Sequence, residues 1–412
     1  MSVLSESGKY SSLDDVLSYI EEHALAITGT ETVPLDQCFG RVLAEPVMAL
    51  EDMPPAAMSA VDGYGFCFAD AQVEYGTPLR IVGRVPAGAT LTTRVGSGEA
   101  VRIFTGAPVP RGVNTVVMQE DCSSDGLTVA INAPVTVGAN IRAAGSDVRS
   151  GALMLQPGRR LRAQEVGLAA VAGRAELIVR RPLKVALFST GDELRSPGVP
   201  LEPGTIYDAN RYTVHALLKG IGAEVTDFGI LPDQRDAVRS ALARATDHDV
   251  IVTSGGVSVG EEDHVKAVVA ELGSLDVWRL AVKPGKPLAI GRIGMTVFLG
   301  LPGNPVSAAV MFMLVGRVLL LRLAGAVPDI PPRFPVAAGF TLKRRPGRRE
   351  FLRGWVEVDA QGRTVAQRVL NDSSGNLSSM TQSEGLIDIP AETAEIASGD
   401  CVHFMPFSGL VW

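Results

Sequence analysis

The sequence predicts an α/β multidomain protein: a three-layer αβα domain with a mostly parallel sheet, an inserted β-rich domain, a discontinuous N-terminal domain and a C-terminal β barrel-like domain. Three observations predict it. After Pro182, apolar strands alternate with amphipathic helices, the mark of right-handed βαβ units. Residues 78–134, and again the chain beyond Pro328, break into short strands separated by turns. The segments on either side of the first β-rich stretch each carry a helix pattern, which places that stretch inside a domain begun earlier. The expected boundaries are 1–44 with 148–180, then 45–147, 181–327 and 328–412. With 412 residues, 46% of them hydrophobic and 20% charged, the chain has the material for several cores.

In chain order, residues 12–28 space Leu13, Val16, Leu17, Ile20 and Leu25 as an amphipathic helix, and Ser12 with Asp15 forms a capping pair. An extended stretch leads to MPPAAMSAVDGYGF, expected as a bent loop in which Pro54, Pro55, Gly63 and Gly65 present Ser59, Asp62 and Tyr64. PLRIVGRV, EAVRIFTGA, NTVVMQED and LTVAINAPV supply strands. A helix in RAQEVGLAAVAG follows the loop of Arg142, Ser146 and Asp147. KVALFS, EVTDFGI, DVIVTS and DVWRLA are then strands, separated by helices in ANRYTVHALLKGIG, DAVRSALARAT and VKAVVAELG. The apolar run Val306–Leu323 is interrupted by Arg317 and Arg322, so it is expected as a buried helix and not a membrane span. In the tail, Asp359–Gly362 is a hairpin turn, and Arg344, Arg345, Arg348, Arg349 and Arg353 form a basic face, either solvated or available to phosphate.

A net charge of −7 gives no reason to expect nucleic acid. Cys38, Cys67, Cys122 and Cys401 lie far apart without a CxxC pair, so neither a zinc knuckle nor a disulfide framework is expected. The first residues lack a basic start followed by an apolar run, and the cytoplasm is the expected compartment.

Chemistry gathers in loops at strand ends, where open α/β sheets bind ligands. These are Ser189–Glu193, Leu231–Gln234, Ser254–Asp263, Lys283–Pro287 and Leu301–Ala308. Gly255, Gly256 and Gly260 free backbone N–H groups for an anion, and Ser254 and Ser258 add hydroxyls. Glu261, Glu262 and Asp263 suit a helix start as well as a metal. Lys283 and Lys286 place two cations on one bent segment. Asp192, Glu193, Asp208, Asp233 and Asp263 offer oxygen donors without Cys or paired His, a set for Mg²⁺ and not zinc. No GxxxxGK[ST] and no early GxGxxG occurs, which excludes a P-loop and a Rossmann fingerprint. GVSVG has the outline of a nucleophile elbow, but His264 is too close to Ser258 in sequence to act as its base.

The motifs SAVDGYGF, RIFTGAPVPRGVNTVVMQED, FSTGDEL, IYDANR, SGGVSVGEEDH, KPGKP and LPGNPVSA, in this order, resemble the molybdopterin molybdenumtransferase family, which is related to the gephyrin E domain. The resemblance runs from about residue 12 to the end. It implies an enzyme that inserts molybdenum from molybdate into adenylylated molybdopterin, with Mg²⁺, releasing AMP and molybdenum cofactor. It also implies a homodimer whose active cleft is shared between subunits, and transient contact with other proteins of cofactor biosynthesis. Carried over to this sequence, it assigns catalytic roles to Asp62, Thr105, Glu193, Asp233 and Asp263, and metal binding to Asp233 and Asp263. Substrate contacts fall to Ser189, Thr190, Gly191, Asp192, Ser254, Gly255, Gly256, Ser258, Lys283, Lys286, Pro302 and Asn304.

Three positions depart from the family pattern. His264 stands where an aromatic residue is common, Gln234 where a second acid often follows Asp233, and Arg279 in place of a lysine. Two alternative functions fit parts of the pattern. A molybdopterin adenylyltransferase shares the SGGVSVG domain but is small, and a gephyrin-like scaffold has a long linker and a second enzyme domain.

Overall fold

The computed structural model describes residues 10–68, 76–257 and 264–411. The chain forms two compact units: Met1–Glu45 with Pro157–Arg162 and Glu176–Trp412, and Pro46–Gln156 with Ala163–Ala175.

The larger unit is built on a six-stranded sheet. Its strands are β1 (Lys184–Thr190), β2 (Glu224–Leu231), β3 (Val250–Ser254), β4 (Ser274–Arg279), β5 (Pro287–Ile293) and β6 (Thr296–Leu301), in the order β2-β1-β3-β6-β5-β4. β1, β2, β3 and β6 run parallel, while β5 is antiparallel to both its neighbours. β3 lies at the centre and all five of its residues are buried, as its uncharged β-branched run requires when helices cover both faces. β5 was not apparent in the sequence: it opens on a proline and forms a hairpin with β6 around Gly294.

Helices Asn210–Gly220, Arg235–Ala245, His264–Leu272 and Pro305–Leu323 accompany the sheet. Among the described residues, the last is the one helix long and apolar enough to cross a membrane, but 89% of its most apolar window is buried inside the protein. The first helix of the chain, Leu13–His23, carries the expected box, with Ser12 Oγ accepting from Asp15 N–H and Asp15 accepting from Ser12 N–H. It stops earlier than its apolar spacing suggests. Ala24 is already extended, and Leu25 is 73% exposed instead of facing the core. Thr30–Pro34 pairs antiparallel with Glu176–Arg180, joining segments almost 150 residues apart.

Five tail strands close on themselves: β7 (Phe334–Ala338), β8 (Arg349–Val358), β9 (Thr364–Arg368), β10 (Gly385–Ile389) and β11 (Cys401–Pro406). The order β8-β9-β7-β11-β10 returns to β8, which removes both sheet edges. Val282–Lys283 pairs in parallel with Arg349–Glu350 and ties this barrel to the αβα layer. The tail arginines do not form one basic face. Arg344 pairs with Glu350 at 2.9 Å, Arg349 grips Asp388 with Nε and Nη2, and Arg353 is 2% exposed.

The smaller unit holds another six-stranded sheet, in the spatial order Thr115–Met118, Gly63–Phe66, Glu99–Ile103, Leu79–Val85, Thr128–Ile131 and Cys122–Ser124. Gly63–Phe66 is a strand and not part of a loop. Gly63 and Gly65 are needed for close packing, since a Cβ on Gly63 would collide with the Val117 carbonyl and one on Gly65 would lie 2.8 Å from Val113. All four cysteines are free thiols.

Candidate active site

The carboxyl ends of β1, β3 and β6 open into a cleft of ≈ 1000 Å³ within the larger unit. The sheet sets this place, because the loops leaving neighbouring parallel strands emerge side by side. Ser189, Thr190, Gly191 and Glu193 line it after β1, Asp233 after β2, and Ser254, Gly255 and Gly256 after β3. Pro302 and Asn304 come from the turn after β6, and Lys283 and Lys286 from the bend between β4 and β5. Asp192 supports the wall by accepting the Asp233 N–H at 3.1 Å. Ser258, Gly260, Glu261, Glu262 and Asp263 lie outside the described residues.

Glycine is required in the floor. Gly255 and Gly256 have φ of 89° and 68°, and a Cβ on Gly255 would stand 2.8 Å from the Thr190 carbonyl oxygen. Next to them, the helix that begins at Pro305 turns its N-terminal end toward the cleft, with Pro at the first position where no N–H is needed. Such an end favours anions.

The two lysines are not equivalent. Lys283 Nζ lies 2.5 Å from Glu350 Oε1 and 3.0 Å from Asp372 Oδ2. Partial burial lowers its proton affinity, but the two carboxylates outweigh this and hold it above the ordinary lysine range. Lys286 has no carboxylate partner among the described residues and sits 5.2 Å from the Tyr10 ring centroid. It pulls the Tyr10 hydroxyl below the usual phenol range. Asp208, in contrast, is no free ligand: it is 1% exposed and bound to Arg211, which also pairs with Asp227 at 2.5 Å.

A further wall escaped the sequence reading. Asp372, Ser373, Ser374 and Gly375, from the loop between β9 and β10, line the cleft together with Arg348. Arg353, buried beneath them, donates to the Ser373 carbonyl at 3.2 Å and to Ser379 Oγ at 3.1 Å. Ser374 in turn accepts the Val306 N–H at 3.1 Å, which docks this loop on the helix start. The available signal was compositional: NDSSGN is a polar glycine-containing turn like those at the sheet edge. Asn210, within the IYDANR motif, also lines the cleft.

Asp62 and Thr105 belong to the smaller unit and meet there. Asp62 Oδ1 accepts from both the backbone N–H and the hydroxyl of Thr105, each at 2.8 Å. The Thr105 N–H and then its hydroxyl hold the Asp62 carboxyl below the usual range, and nearby Arg102 acts in the same direction.

Among the described residues no group of three or more His, Cys, Asp or Glu side chains could hold a metal ion. Two of the acids that line the cleft, Glu193 and Asp233, are oxygen donors that fit a hard cation completing its shell with water and phosphate.

Fold and site define a multidomain α/β protein with a glycine-floored, lysine-bearing cleft at the carboxyl edge of a sheet, walled in part by a β-barrel loop. Three family models match it: the MoeA N-terminal region (domain I and II) over residues 11–173, the probable molybdopterin binding domain over 186–322, and the MoeA C-terminal region (domain IV) over 335–407. A molybdopterin molybdenumtransferase of Haemophilus influenzae is 38% identical over 97% of this chain and 99% of its own. One from a Nostoc species is 34% identical over 90% of this chain and 87% of its own. Two crystal structures of the molybdopterin biosynthesis MoeA protein of Pyrococcus horikoshii superpose with TM-scores of 0.81 and 0.76, at 27% and 30% identity. Each covers 97% of this chain, and the chain covers 100% and 99% of them respectively. The chain belongs to the molybdopterin molybdenumtransferase (MoeA) family.

Proposed function

We propose that this chain inserts molybdenum from molybdate into the dithiolene of adenylylated molybdopterin and releases AMP with the finished cofactor. The observation that carries this reading is the cleft itself, where glycine-floored strand ends, a Lys286 without a carboxylate partner among the described residues and a helix N-terminus share the lining with the carboxylates of Glu193 and Asp233. Cleaving a phosphoanhydride requires charge on phosphate oxygens to be balanced while the anhydride is held in line with an incoming oxygen. Lys286, the floor amides and the start of the Pro305 helix bind and orient oxyanions. Asp233, with Asp263, would hold Mg²⁺, which when bound supplies a positive charge shared with the phosphates. An oxygen of water bonds to the phosphorus of the adenylyl group, the bond from that phosphorus to the molybdopterin phosphate oxygen breaks, and AMP leaves; a molybdate oxygen in the same place would give a mixed anhydride that takes up water to release AMP, and the two dithiolene thiols replace a molybdate oxygen, which leaves with their protons as water.

The same reading places the chain in the cytoplasm as a homodimer of four-domain subunits, divided at 1–44 with 148–180, 45–147, 181–327 and 328–412. Asp62 and Thr105 of the partner subunit would complete each cleft. Their mutual hydrogen bonds support this role, because they keep an exposed carboxylate ionised and fixed.

The test is AMP release from adenylylated molybdopterin. Release that requires molybdate and Mg²⁺ and falls at least about 100-fold in Asp263→Ala is expected. Undiminished release in that variant would remove the metal assignment, and consumption of ATP to make the adenylylated substrate would instead favour the adenylyltransferase activity.

A further inference from the structure

Two polar atoms in the cleft are buried without a hydrogen-bond partner among the described residues: Asn210 Oδ1 and Ser189 Oγ. The orientation of the Asn210 amide is fixed by its surroundings. Its nitrogen donates to the Gly303 carbonyl at 2.6 Å and to Ser254 Oγ at 2.8 Å. A carbonyl can only accept, so the nitrogen must face Gly303. Both amide protons are thereby used, and Oδ1 is left as an acceptor. Ser254, opposite Ser189 on the neighbouring strand, is itself occupied, with its hydroxyl 3.4 Å from the Pro302 carbonyl oxygen.

Molybdate and the diesterified phosphates of an anhydride cannot satisfy Asn210. At neutral pH their oxygens bring acceptors, and an acceptor against Oδ1 is repulsive. The surface around the amide also carries little side chain, since Gly303 adjoins it and Gly255 follows Ser254. A flat ring can reach such a floor edge-on. We infer that Asn210 is a specificity-determining residue whose Oδ1 accepts an N–H from a planar heterocycle of the substrate. The inference rests on the reading of the substrate as adenylylated molybdopterin, which carries two such donors, the amino group of the pterin and the amino group of adenine.

Binding measurements on the full-length protein separate the two sources and do not require turnover. AMP is compared with IMP, in which a carbonyl replaces the adenine amino group, and 6-hydroxymethylpterin with 6-hydroxymethyllumazine, in which a carbonyl replaces the pterin amino group. One pair should be discriminated by at least about tenfold, because the disfavoured analogue leaves a buried acceptor unpaired. That preference should collapse in Asn210→Ala. Discrimination of the first pair assigns the donor to adenine and of the second to the pterin. Equal affinity within both pairs for the wild-type chain overturns the inference even if the variant does not fold, and so does a preference that survives in Asn210→Ala. The proposed activity fails on a different readout, the absence of AMP release.

Discussion

Lys283 and Lys286 are three residues apart and share a cleft, yet their surroundings give them different work. Lys283 is held by Glu350 and Asp372, and Glu350 is also bound by Arg344, so this lysine helps fasten the barrel to the αβα layer. Its proton affinity is raised, so the tie is complete at neutral pH and is lost only as pH rises through a value above the ordinary lysine range. Lys286 stands against the Tyr10 ring with no carboxylate partner among the described residues. Lys286→Gln should therefore raise the KM for molybdate roughly tenfold with little change in Tm. Lys283→Gln should lower stability by about 1 kcal/mol, a small figure because the lysine is 42% exposed, and show this as a lower Tm. Equal Tm for both variants would mean that Lys283 is no structural tie. The sequence displayed the two cations but not their partners, because Glu350 and Asp372 lie far along the chain, in the barrel.

At the scale of elements, β-branched runs made most strands legible: Val250–Ser254 could hardly be anything else. Among the strands that were hidden, three were so for separate reasons. Gly63–Phe66 has glycines where strands usually carry bulk, Pro287–Ile293 opens on a proline, and Gly385–Ile389 is short and follows a polar loop. The site divided in the same way. Loops leaving adjacent parallel strands were recognisable from glycine, serine and acid, whereas Asp372–Gly375 enters the cleft only because the barrel closes beside it. Glycine roles in the smaller unit give a sharp contrast. Gly63→Ala would push a methyl into the Val117 carbonyl at the middle of a sheet and should destabilise by about 3 kcal/mol. Gly167→Ala meets nothing within 4 Å inside the helix Ala163–Val171 and should stabilise by about 0.5–1 kcal/mol. Thermal unfolding of the two variants decides the matter, and Gly63→Ala with wild-type Tm would contradict the strand assignment.

For the whole molecule the open matter is how two groups of residues cooperate. The cleft of the larger unit holds the cations, the floor and Asp233, while Asp62 and Thr105 form their own hydrogen-bonded pair in the smaller unit. If each working site combines the cleft of one subunit with Asp62 of the partner subunit, two inactive variants should rescue one another. Asp62→Ala keeps an intact cleft, and Asp233→Ala keeps an intact Asp62. Unfolded together and refolded in equal amounts, half of the dimers would be mixed, and a mixed dimer would hold one site with every residue intact and one lacking both. Since half the dimers then carry half their sites, AMP release should return to about one quarter of the wild-type rate from parents that are each nearly inactive. Sites completed within a single chain predict no recovery at any ratio, because every chain carries one lesion. A monomer predicts none either, and sedimentation of the refolded mixture separates that case from a dimer with independent sites.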